Sequence, residues 1–185
     1  MDENPSLPSF KYYPDPLADG IVKADPDKPC LGCGRIRGWI YTGPVYVEKN
    51  FILEESLCPW CIADGTAAKR FGASFNDAGM MEDMSQAIME EIEQRTPGFN
   101  SWQGNQWLTC CNDAAAFLGA AGSAELQRDF PKAIPAVKKY SREDYELTGD
   151  DLQKFVDSLS KDDQPTAYVF QCLHCQGYLA YVDQT

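Results

Sequence analysis

"CPWCIADGTAAKRF", residues 58–71, is the stretch on which the reading of the fold turns. Two cysteines two residues apart stand where a helix should open. Pro59 suits a first helical turn, Ala67, Ala68 and Lys69 can prolong it, and Gly65 weakens it. Such a pair can trade electrons as a dithiol, or it can hold half of a metal ion. A partner pair lies upstream in "PCLGCG", residues 29–34, where Cys30 and Cys33 bracket a tight turn. Gly32 and Gly34 leave the backbone free to aim amides at one sulfur. The two pairs are 24 residues apart, and zinc takes four thiolates in a tetrahedron. A knuckle, an intervening hairpin and a cysteine pair opening a helix follow the order of a treble-clef finger. Cys30, Cys33, Cys58 and Cys61 are therefore the first candidate zinc site. The positive end of the helix would help keep the second pair deprotonated.

The competing reading makes Cys58-Pro59-Trp60-Cys61 a thiol-disulfide oxidoreductase motif, whose first cysteine gains nucleophilicity from a lowered pKa. That motif belongs after a core strand in a βαβ unit. Here it follows "EESL" (54–57), with a second cysteine pair ready upstream.

Four more cysteines suggest a second site. "YVFQCLHCQGYLAYVD" (168–183) sets Cys172 and Cys175 as a knuckle between two strands, and Cys110 and Cys111 are the pair left to complete it. Adjacent residues usually point apart, so both can ligate one ion only through an irregular backbone or a helix start. His174 is the sole histidine, and it can be an exposed turn residue or replace one of the adjacent cysteines. Four cysteines leave no open coordination position, so each zinc is expected to be structural, two per chain. A metal-dependent hydrolase would need an open position and a base, for which Asp113 is the nearby carboxylate. No catalytic or organic-cofactor residues are assigned.

Composition sets the wider bounds. The chain has 185 residues, 44% apolar and 12% aromatic, with a net charge of −12. That is enough apolar content for one domain spanning 1–185 with an ordinary core. Its acidity repels phosphate backbones and anionic lipid, so neither a nucleic acid nor a membrane is expected as partner. It suits a basic protein partner, such as a bacterial toxin, with Trp102, Trp107, Tyr145 and Tyr168 as candidate anchors. No apolar run approaches the roughly 20 residues of a membrane span. "MDENPSLPSFKYYPDP" (1–16) lacks the apolar block of a secretory signal. A soluble, cytoplasmic location is expected, and there the eight cysteines point away from a disulfide scaffold.

Along the chain, residues 1–29 hold six of the twelve prolines and read as an extended arm, with Phe10, Tyr12 and Tyr13 lying on the core. Residues 30–72 are the finger, with a β-hairpin expected over "GWIYTGPVYVEKNFILEESL" (38–57). Residues 73–185 carry the helical segment and the C-terminal knuckle hairpin. Helices are predicted over 83–95, stopped by "TPG" (96–98), and over 148–160, with Thr148 as cap and Leu152, Phe155, Val156 and Leu159 inward. Asn112 and Asp113 are expected to cap a helix through "AAAFLG", "SAELQRDFPKAIP" (123–135) to give a short helical turn, and 136–148 to be a loop or edge strand. The fold class is α/β, in the α+β sense.

The motifs "LPSFKYYPDPLADG", "PCLGCG", "YTGPVY", "CPWCIADGTAAKRF", "TPGFNSWQGNQWLTCC" and "YVFQCLHCQGYLAYVD" together resemble the CbrC family over residues 7–183. That family comprises small bacterial proteins linked to colicin tolerance. The resemblance implies metal-site cysteines at Cys30, Cys33, Cys58, Cys61, Cys172 and Cys175. Where the family commonly has a His-Cys pair, this chain has Cys110-Cys111, which keeps a zinc-ligand type. It also implies a non-enzymatic, zinc-stabilised interaction protein conferring tolerance of or immunity to a toxin.

Overall fold

The structure, a computed structural model, describes residues 6–47, 51–79, 81 and 84–184. It is a mixed α/β chain with small sheets, and it divides into two compact units. The first comprises Met1–Asn100 with Asn105–Trp107, the second Ser101–Gly104 with Leu108–Thr185.

The first unit's Pro-rich arm, described from residue 6, buries Phe10, Tyr12 and Tyr13 but is not extended throughout: it turns at 16–20, where the N–H groups of Gly20 and Ile21 donate to the Leu17 and Pro16 carbonyls. The arm does more than cover the core. Its strand β1 (Val22–Ala24) pairs antiparallel with β2 (Trp39–Tyr41), with Lys23 opposite Ile40. A bridge between Pro29 and Ile36 prolongs the ribbon, so the knuckle at Cys30–Cys33 is its tip. The hairpin expected over 38–57 is therefore corrected: the partner of β2 lies upstream. The other side of Tyr41 bonds Leu57, just before the second cysteine pair. Pro44 lacks an amide and its carbonyl accepts from Tyr41 Oη, which turns the chain away from β2; Tyr46 then pairs with Ser74. Residues 48–50, within the stretch where the hairpin is expected, lie outside the described residues.

Helix α1 (Pro59–Ala63) starts at Cys58, and α2 (Thr66–Phe71) follows it. Gly65, at φ +74°, separates them, so the expected weak point is a break. Helix α3 (Gln86–Arg95) buries Ile92 and ends at Thr96; Asp83, at its expected start, lies outside the described residues. Asn76 Nδ2 donates to the carbonyls of Ile92 and Thr96 at 2.8 and 3.0 Å, satisfying the helix end from inside the core.

In the second unit, β3 (Thr109–Cys110) and β4 (Asp113–Ala114) form a minimal hairpin. Strands β5 (Ala116–Ala121), β6 (Thr166–Gln171) and β7 (Tyr178–Asp183) make an antiparallel sheet in that order. Residues 113–121 are thus strands, not the capped helix expected. Local alanine propensity yields to strand pairing with β3 and β6, and the β5–β6 register shifts between Phe117 and Gly119, leaving Leu118 as the extra residue. Period-two alternation is clear in β6. Ala167 and Val169 join a cluster with Leu126, Val137, Leu152 and Val156, whereas Tyr168 and Phe170 meet Phe117 and Tyr181 on the opposite face.

Helix α4 (Ser123–Arg128) and a 3-10 turn at Pro131–Ala133 lead into α5 (Ile134–Asp144) and α6 (Gly149–Ser158). Helix α5 corrects the loop or edge strand expected over 136–148. Val137 and Ser141 share its buried face, and Ser141 Oγ satisfies itself on the Val137 carbonyl at 2.9 Å. Pro135 opens this helix rather than breaking it. In α6 the inward residues are as expected, but Thr148 makes no side-chain cap; Asp150 and Asp151 supply negative charge in the first turn. Among the described residues no helix is long and apolar enough to cross a membrane.

Tyr41 is the polar pin of the first unit. Fully buried, its Oη donates to the Pro44 carbonyl at 2.8 Å and accepts from Gly98 N–H at 3.0 Å. Tyr41→Phe strands both backbone groups, and chemical denaturation is expected to show a loss of about 1–3 kcal/mol.

Candidate metal centres

Among the described residues, eight cysteines gather into two groups of four: Cys30, Cys33, Cys58 and Cys61, and Cys110, Cys111, Cys172 and Cys175. Within each group all four sulfurs lie within 4.8 Å of one another. Cys30 and Cys61 lie 3.6 Å apart and Cys33 and Cys58 3.9 Å apart in the first group, and Cys110 lies 3.7 Å from Cys111 and 3.8 Å from Cys175 in the second. Four sulfurs about 2.3 Å from a common centre form a tetrahedron with edges of about 3.8 Å. A disulfide would hold two sulfurs near ~2.05 Å, and all eight cysteines are free. The donor set and its spacing therefore fit a tetrahedral metal ion at each place.

Each group is built from a knuckle at the end of an antiparallel ribbon, and the two knuckles repeat one another bond for bond. The N–H two residues after the first cysteine donates to its sulfur: Gly32 to Cys30 Sγ at 3.3 Å, His174 to Cys172 Sγ at 3.4 Å. The N–H four residues on returns to the cysteine carbonyl: Gly34 to Cys30 at 2.7 Å, Gln176 to Cys172 at 3.1 Å. The cysteine N–H closes the loop on the fifth residue: Cys30 to Arg35 at 3.0 Å, Cys172 to Gly177 at 2.8 Å. This cycle needs a left-handed residue at the fourth position, which Gly34 (φ +71°) and Gln176 (φ +60°) provide.

The completing pairs differ. Cys58 and Cys61 open α1, and Cys58 N–H donates to Cys30 Sγ at 3.2 Å. Arg70 Nη1 holds the knuckle from outside through the Gly32 carbonyl at 2.8 Å. Cys110 and Cys111 solve the adjacent-residue problem with a tight turn. Cys110 ends β3, and the two-residue loop Cys111-Asn112 has φ of +53° and +56°, the pattern of a type I′ hairpin. That left-handed pair turns the Cys111 sulfur back beside Cys110. The signal in the sequence was an asparagine after the second cysteine, a residue that tolerates this conformation.

His174 stands apart from the sulfurs. Its Nε2 is 2.9 Å from Asp113 Oδ2, and the four sulfurs come together without it. Asp113 is buried and engaged in this pair and with Ala114 N–H at 2.9 Å, which leaves it poorly placed as a free base. Sequence reasoning saw both residues but not that they meet.

Four thiols in contact cannot all ionise against protons alone. Hydrogen bonds from the Cys58 and Cys61 thiols hold Cys30 well below the usual thiol range. The hydrogen bond to Cys30 in turn pushes Cys58 up to about 12 and raises Cys61 further. In the second group backbone N–H donation, Cys175's first, lowers Cys172 to about 6, while Cys110 rises to about 12, chiefly through its bond to Cys172. A divalent cation held by the four cysteines would replace the shared protons and let every sulfur carry charge. The same pattern disfavours thiol exchange at Cys58-Pro59-Trp60-Cys61: both cysteine residues are about 1% exposed, and the first has a raised pKa.

The matched knuckles make paired tests. Gln176→Gly is expected to raise the unfolding free energy by about 1 kcal/mol, and Gly34→Ala to lower it by about 1–2 kcal/mol, because only glycine is relaxed in the left-handed region. Gly32→Ala should also loosen metal retention in the first group, since its Cβ would meet Cys61 Sγ at 2.8 Å. Denaturation curves with metal analysis check all three.

Comparison with known proteins places these features in a family. Residues 7–184 match the family described as "Uncharacterised protein family (UPF0167)". A UPF0167 protein of Mycobacterium bovis is 44% identical over 179 residues, covering 96% of this chain and 93% of the relative. One of Mycobacterium tuberculosis matches equally. A UPF0167 protein of Pseudomonas aeruginosa is 41% identical over 174 residues, covering 93% of this chain and 94% of the relative. No solved structure matches the chain significantly. With the match running through both cysteine groups, the chain belongs to the UPF0167 family.

Proposed function

We propose that this chain is a two-zinc protein whose metal centres are structural, and that it acts by binding another protein rather than by catalysis. The observation that carries the first half is the pair of four-sulfur groups, each with its sulfurs within 4.8 Å. Soft thiolates in a tetrahedron suit zinc, and four of them leave no position for water or substrate. The first centre has the knuckle and the helix, α1, of a treble-clef finger, but β1 precedes the knuckle instead of forming a hairpin between the two cysteine pairs.

The second half rests on charge. A net charge of −12 favours encounter with a basic protein and disfavours nucleic acid and anionic membrane. Of the candidate anchors, Trp107 and Tyr168 are buried within their own units and Tyr145 Oη is tied to the Val182 carbonyl. Trp102 is 47% exposed, its Nε1 bonded to Thr166, and is the anchor this reading favours. The resemblance to the CbrC family supports the most specific form: tolerance of, or immunity to, a colicin-like toxin in a bacterial cytoplasm.

Elemental analysis of purified protein is expected to return two zinc ions per chain; iron in their place, or no metal in folded protein, overturns the zinc assignment. Pull-down with basic toxin domains should recover a partner at low salt and lose it at high salt, and Trp102→Ala should weaken capture at least tenfold. Capture indifferent to both salt and Trp102 contradicts the binding mode.

A further inference from the structure

The two centres share ligands and knuckle geometry but not surroundings. Cys30, Cys58 and Cys61 are each about 1% exposed, and Cys33 is half-buried. In the second group only Cys172 is buried; Cys110 is half-buried, and Cys111 and Cys175 are exposed. The backbone N–H groups that donate within this second group, from His174 and Cys175, both go to Cys172. The sulfurs within reach of solvent are thus the ones without that protection. Oxidation of a thiolate follows its exposure to the oxidant, and a second sulfur close by captures the product.

We infer that the second cysteine group is an oxidisable centre, in which hydrogen peroxide joins Cys110 to Cys175 as a disulfide and frees the bound ion while the first group stays reduced. This rests on the zinc reading above. The exposed Cys175 sulfur attacks the peroxide; an S–O bond forms, the O–O bond breaks, and the departing hydroxide takes a proton to become water. The Cys110 sulfur, 3.8 Å away, then displaces the sulfenic oxygen, which leaves as a second water after protonation. Two electrons pass from the two sulfurs to peroxide, and two protons come from solvent. Cys111 and Cys172 remain, which is half a tetrahedral set. The alternative bond between Cys110 and Cys111 would close an eight-membered ring through one peptide, in a turn already committed to φ +53° at Cys111. The Cys110–Cys175 bond instead ties the β3–β4 hairpin to the β6–β7 knuckle.

The test uses the full chain, with its zinc content measured first. Hydrogen peroxide is added in the presence of a chromogenic zinc chelator, and remaining thiols are alkylated for peptide mass spectrometry. The expected result is release of one of the two ions, loss of two of the eight thiols, and a Cys110–Cys175 cross-linked peptide. Reductant with zinc should restore the ion. Release of both ions together, equal oxidation of Cys30, Cys33, Cys58 and Cys61, or retention of both ions at a peroxide excess overturns the inference while leaving the zinc reading intact. Fewer than two ions before peroxide is added overturns the zinc reading, and this one with it.

Discussion

Four sulfurs drawn from distant parts of a chain do not stay in contact unless something compensates their mutual repulsion once they ionise. That constraint organises both units. In the first, the arm strand β1, the strand β2 and the start of α1 converge on one cluster; in the second, a two-residue hairpin loop and the β6–β7 tip converge on the other. The first unit's sheet has two short strands, and a two-stranded ribbon is marginal in water by itself. A closed four-thiolate zinc can contribute on the order of 10 kcal/mol of apparent folding free energy, comparable to the whole stability of a domain. The aromatic core built by the arm through Tyr12 and Tyr13 and the buried Tyr41 pin then act on a ribbon whose tip is already fixed.

The repeated knuckle shows how much of this geometry is local. Its amide-to-sulfur bond, its left-handed fourth residue and its closing amide need only six consecutive residues, and two stretches that share C-L-x-C but differ at the other three positions, "CLGCGR" and "CLHCQG", reach the same arrangement. What differs is the second pair. A helix start buries its sulfurs at 1% exposure, whereas a hairpin turn at the surface leaves Cys111 open to solvent. Identical donor chemistry thus comes with unequal access, and access governs exchange and oxidation.

Much of the site was legible because cysteine spacing is a local signal. The two C-x-x-C knuckles and the break at Gly65 could be read from adjacent residues, as could the β6–β7 hairpin and the inward face of α6. The misreadings share a different cause. β1 is not legible in the arm because three residues, Val22–Ala24, carry almost no pattern, and its partner is supplied by tertiary pairing. The alanines at 114–116 favour helix in isolation but are held extended by pairing: Ala114 with Thr109, Ala115 N–H with the Leu108 carbonyl, and Ala116 with Gln171 of β6. α5 shows little helical pattern because the buried face of "IPAVKKYSRED" includes Ser141, a polar residue whose hydroxyl is satisfied by the Val137 carbonyl. The convergence of Cys110 with Cys111 depended on φ angles that no spacing rule encodes.

X-ray absorption at the zinc edge reads the atoms bound to the metal. The expected spectrum is a single shell of four sulfurs per zinc at about 2.3 Å, averaged over both centres, with no light-atom scatterer. A nitrogen or oxygen neighbour near ~2.0 Å would contradict it, by placing His174, Asp113 or water on the metal where the structure places sulfur.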